Sequence, residues 1–568
     1  MPAPEFSWIK YEVEVSSDSP LRELTAFPSP SGLALVDAVT TDTATIQLPD
    51  LRAWSSPSDK AEILLETAAE IEHALMVQYL YAAYSLKSGE EVSNPDEQAV
   101  LDQESGDSWY HVLLGIAREE MGHLMTVQNL LLLLGLPPNL EREDFPTRKQ
   151  LYPFPLQLER LTQTSLAKYV VAEAPIDATD IDGIIKMAQG AAGTTINHVG
   201  IIYGLLGLVF ATEENVQAGG SGSTHWDEMV RDIARAAYQQ APQADWHLPE
   251  GAFNSNTPEQ QADPSDWENG GQLRVHKLTD RLSARQAIRD IGEQGEGPTN
   301  QGAQSHFERF RSIYRGREGF IPFPAAGKWT PTREVPTNPK LGIDIVEPRT
   351  KRWAELADIR YALLLGFVEH YLLTSGGNRN LLTGWIFTEM RSRLGFIARR
   401  LTTMPRGGVE GAVAGAPFSL PARLHLPGAE TARWTLHKER TEAAIAKIEE
   451  MRAADEGDKT EAYLNHLLAS DKSRLAFIMT RTGTKETTTS FVRDILPLFR
   501  PKDIQHMIEM VDLNLTEYEV VKSKADKILN LVQRPLESPK RMPPPPDEKW
   551  TQAQVDLFMK WRDEEFPN

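Results

Sequence analysis

Two long helical segments of this chain each carry a glutamate in the middle of an apolar face. From about residue 61 to 87, and again from about 109 to 135, apolar residues recur at intervals of three and four, as on the buried face of a helix. The neighbours of Glu72 on its face are Leu65, Ala68, Ala69, Leu75, Met76 and Tyr79. Those of Glu120 on its face are Leu113, Ile116, Ala117, Leu124 and Val127. A buried carboxylate must be paired, protonated or bound to a cation, so we expect a polar site inside a helical core.

The second of these glutamates is followed one helical turn later by a histidine. Glu120 and His123 project from the same side of one helix, so a carboxylate oxygen and an imidazole nitrogen can reach one metal ion. A Glu-x-x-His unit facing a lone glutamate on a neighbouring helix is half of the ligand set of carboxylate-bridged di-metal helix bundles. A buried ion pair between Glu120 and His123, without any metal, is the alternative interpretation of the same pattern.

The absence of cysteine limits the possible cofactors. None of the 568 residues is cysteine, which excludes disulfides, thiolate zinc sites, iron–sulfur clusters and c-type haem. Non-covalent haem ligated by histidine is not excluded by this count. Any metal must therefore bind to His, Asp or Glu, which suits iron or another first-row divalent ion. The net charge of −21 also argues against general nucleic-acid binding, which requires a basic surface.

Changes in composition divide the chain into three regions. The alternating polarity of residues 1–56 predicts an extended arm with a few strands. The next region, residues 57–420, is predicted to be a helical domain that is interrupted by a loop insertion at 214–272. Residues 430–568 predict a smaller helical C-terminal domain, structural or bound to a protein partner, after a Gly- and Pro-rich linker. We expect a mainly α, cytoplasmic protein without a membrane span, because the sequence has neither a secretory signal pattern nor a sufficiently long apolar run.

Several short motifs, in this order along the chain, resemble those of a known family. They are Ile71-Glu-His-Ala74, Tyr79-Leu-Tyr-Ala-Ala-Tyr84, Arg118-Glu-Glu-Met-Gly-His-Leu124, Glu293-Gln-Gly-Glu-Gly297, Ser305-His-Phe-Glu-Arg-Phe310 and Ala414-Gly-Ala-Pro-Phe418. Together they resemble the ferritin-like domain of the iminophenyl-pyruvate dimer synthases, which act in violacein- and rebeccamycin-type bisindole pathways. The resemblance covers roughly residues 55–420, apart from the insertion.

This resemblance implies a ligand set and a reaction class. It implies that Glu72, Glu120 and His123 are metal ligands and that Glu293, Glu296 and His306 complete the site. It also implies a non-haem oxidative enzyme that uses iron, or another first-row divalent metal, with dioxygen or peroxide on a small amino-acid-derived or secondary-metabolite substrate. A metal-free ferritin-like scaffold or binding protein is the alternative function.

One position departs from the family pattern. The third helix is expected to supply an inward glutamate, but the chain has Val199-Gly-Ile-Ile-Tyr203, with Ile201 at that position and no acid between Thr194 and Thr212. The missing carboxylate favours a single metal ion, with Ile201 shaping a substrate pocket beside it. The glycine-rich run Gly292–Gly297 is also expected to interrupt any regular helix.

Overall fold

The computed structural model describes residues 8–14, 43–146, 152, 154–175, 178–193, 196–217, 224–253, 259–267, 273–296, 304–376, 378–454, 460–482, 489–511, 513–535, 538, 541–544, 547 and 549–568. The chain divides into two compact units, Met1–Pro264 with Gln272–Asn338, and Ser265–Gly271 with Pro339–Asn568. Within the described residues the fold is mainly helical and contains one two-stranded sheet, which confirms the predicted fold class. In the same residues, no helix combines the length and the apolar character needed to cross a bilayer.

The N-terminal arm contributes a small antiparallel sheet to the first unit. Strand β1 (Trp8–Glu14) pairs with β2 (Thr43–Pro49), so that Trp8 lies opposite Pro49 and Glu14 opposite Thr43. Val13, Ile46 and Leu48 are buried, as expected for the inward face of a short two-stranded ribbon.

The helices up to residue 338 are α1 (Pro57–Ser85), α2 (Pro95–Leu101), α3 (Trp109–Leu133), α4 (Gln163–Ala172), α5 (Asp182–Ala192), α6 (Gly200–Phe210), α7 (Glu213–Gln217), α8 (His225–Ala237), α9 (Pro264–Trp267), α10 (Arg281–Glu296) and α11 (His306–Arg315). A capping box between Ser56 and Asp59 begins α1, and the Ser108 side chain caps α3. Four of these helices form a closed bundle, because α1 packs on α3 and α6 while α10 packs on the same two helices.

Two segments that the sequence predicted as irregular are helical. The predicted loop at 214–272 contains α8, whose buried Trp226, Met229 and Ile233 recur at helical spacing and pack toward α6. Helix α10 continues through the glycine-rich run to Glu296. A Cβ atom added at Gly292 would lie 2.1 Å from the Trp226 ring, so only glycine lets α10 pack this closely against α8. This packing outweighs the low helix propensity of glycine.

In its described part, the second unit contains helices joined by loops, and no β-strand. Its helices are α12 (Pro348–Leu372), α13 (Asn378–Phe387), a π-helical turn (Thr388–Leu394), α14 (Gly395–Leu401), α15 (Glu430–Ala453), α16 (Glu461–Arg481), a second π-helical turn (Phe491–Ile495), α17 (Pro501–Val511), α18 (Tyr518–Ser523), α19 (Ala525–Val532) and α20 (Gln552–Asp563). Helix α12 packs on α13 and α15, and α15 packs on α16. The sequence placed α12 in the domain 57–420, whereas here it lies in one compact unit with the segment 430–568.

Candidate metal centre

The first ligand group joins helices α1 and α3 in the core of the bundle. Glu72, Glu120 and His123 each offer one donor atom within 4.8 Å of the others, and all three residues are buried. His123 Nδ1 lies 2.9 Å from Glu120 Oε2 and 3.5 Å from Glu72 Oε2. The i, i+3 spacing on α3 aligns Glu120 with His123, and the packing of α1 on α3 brings Glu72 to them.

A second ligand group shares Glu120 with the first. Glu120, Glu173 and His306 are buried and meet the same 4.8 Å criterion. His306 Nδ1 lies 3.1 Å from Glu120 Oε1 and 3.6 Å from Glu173 Oε2. Glu173 is the residue that ends α4, and His306 is the first residue of α11. The two oxygens of Glu120 therefore point to different histidines, His123 on one side and His306 on the other.

Each histidine is oriented through its other ring nitrogen. His306 Nε2 lies 2.8 Å from Glu119 Oε2, and Arg309 also donates to this carboxylate. His123 Nε2 lies 3.1 Å from Gln294 Oε1. When a proton lies on each Nε2, the Nδ1 atoms beside the shared Glu120 can ligate a metal ion; without a cation, Nδ1 of His123 shares a proton with Glu120 instead.

Two tyrosine hydroxyls bind the carboxylates that lie at the ends of the cluster. Tyr203, on α6, donates to Glu72 Oε1, and Tyr79 donates to Glu173 Oε1 over 2.6 Å. These hydrogen bonds use one oxygen of each carboxylate and leave the other facing the centre. Burial and the adjacent carboxylates raise the pKa of both phenols well above the usual value, so both hydroxyls keep their protons at neutral pH.

Burial and mutual repulsion shape the charge of the cluster. Burial, followed by the negative charge of Glu120, raises the pKa of Glu72 to about 8. Burial by itself disfavours the charged form of His123, but hydrogen bonds and attraction from Glu120 and Glu72 outweigh it and raise its pKa to about 10. Burial by itself would raise the pKa of Glu120, but the positive charge of His306 and the hydrogen bonds with His123 and His306 lower it. Without a cation, this cluster therefore holds protons at neutral pH.

Three potential ligand atoms of the cluster have no hydrogen bond in the described part of the chain, and two of them belong to residues that line a small cavity. Glu72 Oε2, Glu120 Oε1 and His306 Nδ1 are buried and have no hydrogen-bond partner among the described residues. The cavity measures about 20 Å³ and is lined by Glu72, Glu120, His123, Glu173, Tyr203 and neighbouring apolar residues and glycines. Unsatisfied oxygen and nitrogen donors of this kind fit a first-row divalent cation, because its binding would satisfy them all.

Comparison with known proteins agrees with the helical bundle of the first unit. The Ferritin-like family model matches residues 65–315. Residues 65–315 form a ferritin-like domain. Dichlorochromopyrrolate synthase of Lentzea aerocolonigenes is 24% identical to this chain over 461 residues. The match covers 73% of this chain and 42% of that protein, so the chain spans less than half of this relative's length.

One solved structure is also similar. It is a ferritin-like protein from Caulobacter vibrioides, 15% identical, and the match covers 62% of this chain and 96% of that one with a TM-score of 0.31. The predicted ferritin-like bundle is confirmed by the matched family model and by the packing of α1, α3, α6 and α10.

The ferritin-like domain brings together four of the six ligands that the resemblance implied. Glu72, Glu120, His123 and His306 belong to the two groups. Glu293 belongs to neither group, and its Oε1 accepts a hydrogen bond of 2.7 Å from Arg289 Nε, one turn earlier on α10. Glu296 ends α10, but its side chain lies outside the described residues. The ligand roles of all six residues stay predictions.

The sequence reasoning missed Glu173, the carboxylate that compensates for Ile201. Glu173 lies three, four and seven residues after Val170, Tyr169 and Leu166, all buried, so it satisfies the same buried-acid criterion that identified Glu72. On α6, Gly200 and Tyr203 line the cavity, whereas Ile201 is buried but is not part of the cavity wall. The reason for expecting a single ion, a missing carboxylate, is therefore removed.

Proposed function

We propose that the ferritin-like domain is a non-haem metalloenzyme centre that holds two first-row divalent ions, iron above all. Glu72, Glu120 and His123 would hold one ion, and Glu120, Glu173 and His306 the other. The observation that carries this proposal is the position of Glu120, whose two oxygens face two separate histidine–carboxylate groups. A shared carboxylate of this kind is the defining feature of di-metal helix bundles.

The charges of the cluster support two ions. Glu119 is neutralised by Arg309, which leaves Glu72, Glu120 and Glu173 as up to three negative charges in a buried site. Two divalent cations nearly balance them, whereas an empty site has to bind protons instead. Bound iron would supply redox chemistry with dioxygen or peroxide.

The surrounding residues suit an oxidative reaction with a small oxidant. The apolar side chains around the cluster exclude bulk water, and Tyr203 and Tyr79 fix the orientation of Glu72 and Glu173. A cavity of about 20 Å³ accommodates a molecule the size of water, so an organic substrate would act from outside the cavity. We propose a small amino-acid-derived or secondary-metabolite substrate, in line with the dichlorochromopyrrolate synthase relative.

A metal-free scaffold is the second candidate function. It is favoured by the pairs that the ligands already make without a cation, His123 with Glu120 and His306 with Glu119. In this case the cluster would serve as a buried polar network that specifies how the helices pack.

Metal stoichiometry distinguishes the two candidates. The protein is purified without chelators, loaded anaerobically with ferrous iron, desalted and analysed by mass spectrometry for bound metal. We expect about two ions per chain in the unsubstituted protein. In Glu120→Gln the metal content should be lower by about tenfold or more, because both ions lose a ligand. Glu70→Gln is the matched control, because Glu70 is buried on α1 but bonds to Tyr152 instead. Equal, near-zero metal in the unsubstituted protein and in Glu120→Gln would establish the scaffold.

A further inference from the structure

The second unit contains a cavity that is much larger than the one at the metal centre. It measures about 600 Å³, within the range of small-molecule binding sites. Helices α13 and α16 form one side and the segment from Phe491 to Glu519 forms the other. The aromatic side chains in its wall are Trp385, Phe387, Tyr463, Phe491, Phe499 and Tyr518. Such a wall suits a flat apolar or aromatic molecule.

A buried cluster of charges beside this cavity carries an excess positive charge. Among the described residues, Arg360, Arg393 and Arg474 form ion pairs with two acids, Glu389 and Asp471, and each of the five side chains is at most 5% exposed. Arg360 Nη1 donates to Asp471 Oδ1 over 2.9 Å, and Arg393 and Arg474 each donate to Glu389 Oε1 over 2.5 Å. The net charge of this cluster is +1, which is costly in a buried environment unless an anion compensates it.

The uncompensated charge lies in the cavity wall. Arg393 and Arg474 both line the cavity. Arg393 is occupied by Glu389, Asp471 and Ser470, while Arg474 bonds through Nη1 to Glu389 among the described residues. Burial and the nearby charge of Arg393 lower the pKa of Arg474 to about 10, as expected for a cation with too few anionic neighbours. Within the described part of the chain, Nε and Nη2 of Arg474 make no hydrogen bond, so this edge of the guanidinium can donate to a ligand.

Other lining groups agree with an anion at this end of the cavity. His466, Ser470, Ser473 and Arg474 recur at helical spacing on α16 and all line the cavity, so this helix presents polar groups there beside Leu467 and Ala469. Glu517 and Glu519 also line it, but both are partly exposed, and solvent screens their charge.

We propose that this cavity binds a small aromatic monocarboxylate, with the carboxylate on Arg474 and the ring against the aromatic wall. The guanidinium edge of Arg474 offers two parallel N–H donors, which match the two oxygens of a carboxylate. A single negative charge neutralises the +1 of the cluster, whereas a phosphate dianion would overcompensate it. The site is separate from the metal centre and does not depend on the proposed function.

Binding of 2-naphthoate to the full-length protein tests this proposal, with the neutral 2-naphthamide as the charge control. We expect calorimetry to show the carboxylate binding about ten- to hundredfold more tightly than the amide, the range for a hydrogen-bonded charge pair. Arg474→Gln should remove that preference and leave amide binding unchanged. Arg452→Gln, at an exposed arginine on α15, is the matched control and should bind like the unsubstituted protein.

A second variant keeps the test decisive if Arg474→Gln does not fold. Ile504 lines the cavity from α17 and is only partly buried, so Ile504→Trp should fold, fill the cavity and weaken both ligands by about tenfold or more. Absence of naphthoate binding up to about 10 mM, equal affinity for acid and amide, or unchanged naphthoate affinity in Ile504→Trp would each overturn the proposal.

Discussion

At the scale of single residues, burial decides what each ionisable side chain does. Glu72 and Glu120 lie in apolar faces and meet histidines at the centre of the bundle, whereas Glu293 lies on a half-polar helix and pairs with Arg289. Glu173 shows that the end of a helix, as well as its middle, can bring a carboxylate to this buried cluster. Both candidate ligand groups contain Glu120, but Glu72 belongs only to the first group and Glu173 only to the second. Mutation of one of these two residues therefore tests one group at a time.

We therefore expect Glu72→Gln and Glu173→Gln to lose different ions. Each substitution removes a charged ligand from one group and leaves the other group intact. Metal content should fall from about two ions to about one per chain in each single variant and to near zero in the double variant. Metal analysis after anaerobic loading measures this. Loss of both ions in either single variant would show that the groups do not bind independently.

A buried histidine predicts how stability depends on pH. Burial, together with the charge of Arg142, lowers the pKa of His73 to about 3, and its Nδ1 lies 2.9 Å from the Leu140 carbonyl oxygen. Below pH ~6.5 the unfolded chain protonates this histidine while the folded protein does not, so its stabilising contribution is complete above that pH and declines below it.

For His73→Asn, which retains a donor at the Nδ1 position, we expect a shallower pH dependence. As the pH is lowered from 6 to 4.5, the free energy of unfolding should decrease in both proteins. The slope should be smaller in His73→Asn than in the unsubstituted protein, and the difference between the two slopes should be about 1.4 kcal/mol per pH unit. Urea titrations at several pH values measure this difference, with the exposed His506→Asn as the control for loss of a histidine. Parallel pH profiles for His73→Asn and the unsubstituted protein would contradict it.

At the scale of elements, α10 shows how packing overrides helix propensity. Gly292 lies against the Trp226 ring of α8, and a Cβ added at Gly295 would lie 3.1 Å from Glu173 Oε2. The two glycines thus let α10 approach both a neighbouring helix and the metal centre. A larger residue would force the helix away from both.

Gly292→Ala should therefore destabilise the domain although alanine is the better helix former. The added methyl group overlaps the Trp226 ring, at 2.1 Å, and overpacking of this kind costs about 1–3 kcal/mol. Gly190→Ala on α5 is the matched control: its Cβ meets nothing within 4 Å, so it should stabilise by up to about 1 kcal/mol. Chemical denaturation measures both values, and equal effects would show that backbone propensity dominates at Gly292.

At the scale of the whole molecule, buried charges join α12 to the C-terminal helices. Arg360 on α12 is fully buried and pairs with Asp471 on α16, and His370 on the same helix lies 2.9 Å from His437 on α15. The sequence instead drew a boundary between these helices, near the Gly- and Pro-rich linker. A fragment that begins at residue 430 would bury Asp471 without Arg360.

We expect residues 430–568 alone to unfold without a cooperative transition, and residues 339–568 to unfold cooperatively. Removing one partner of a buried ion pair costs about 3–5 kcal/mol, a large part of the stability of a small unit. Thermal denaturation followed by circular dichroism compares the two fragments. A sharp transition in the shorter fragment would restore the boundary that the sequence suggested.

The sequence by itself determined the features that repeat within one helix. The spacing of apolar residues predicted α1 and α3 and identified Glu72, Glu120 and His123 as buried, because a helix places residues three and four apart on one face. The absence of cysteine excluded thiolate chemistry without any structure. Such inferences hold because they depend on local geometry.

Only the tertiary structure decided which faces meet. Glu173 and His306 are separated by more than a hundred residues, and they reach Glu120 because α11 packs on both α3 and α4. The helical course of α10 through its glycines and the place of α12 beside α15 likewise depend on contacts with distant segments. A periodic pattern shows that a face is buried but not what covers it. The resemblance alone therefore suggested His306, and only the folded chain showed that Glu173 and His306 meet at Glu120.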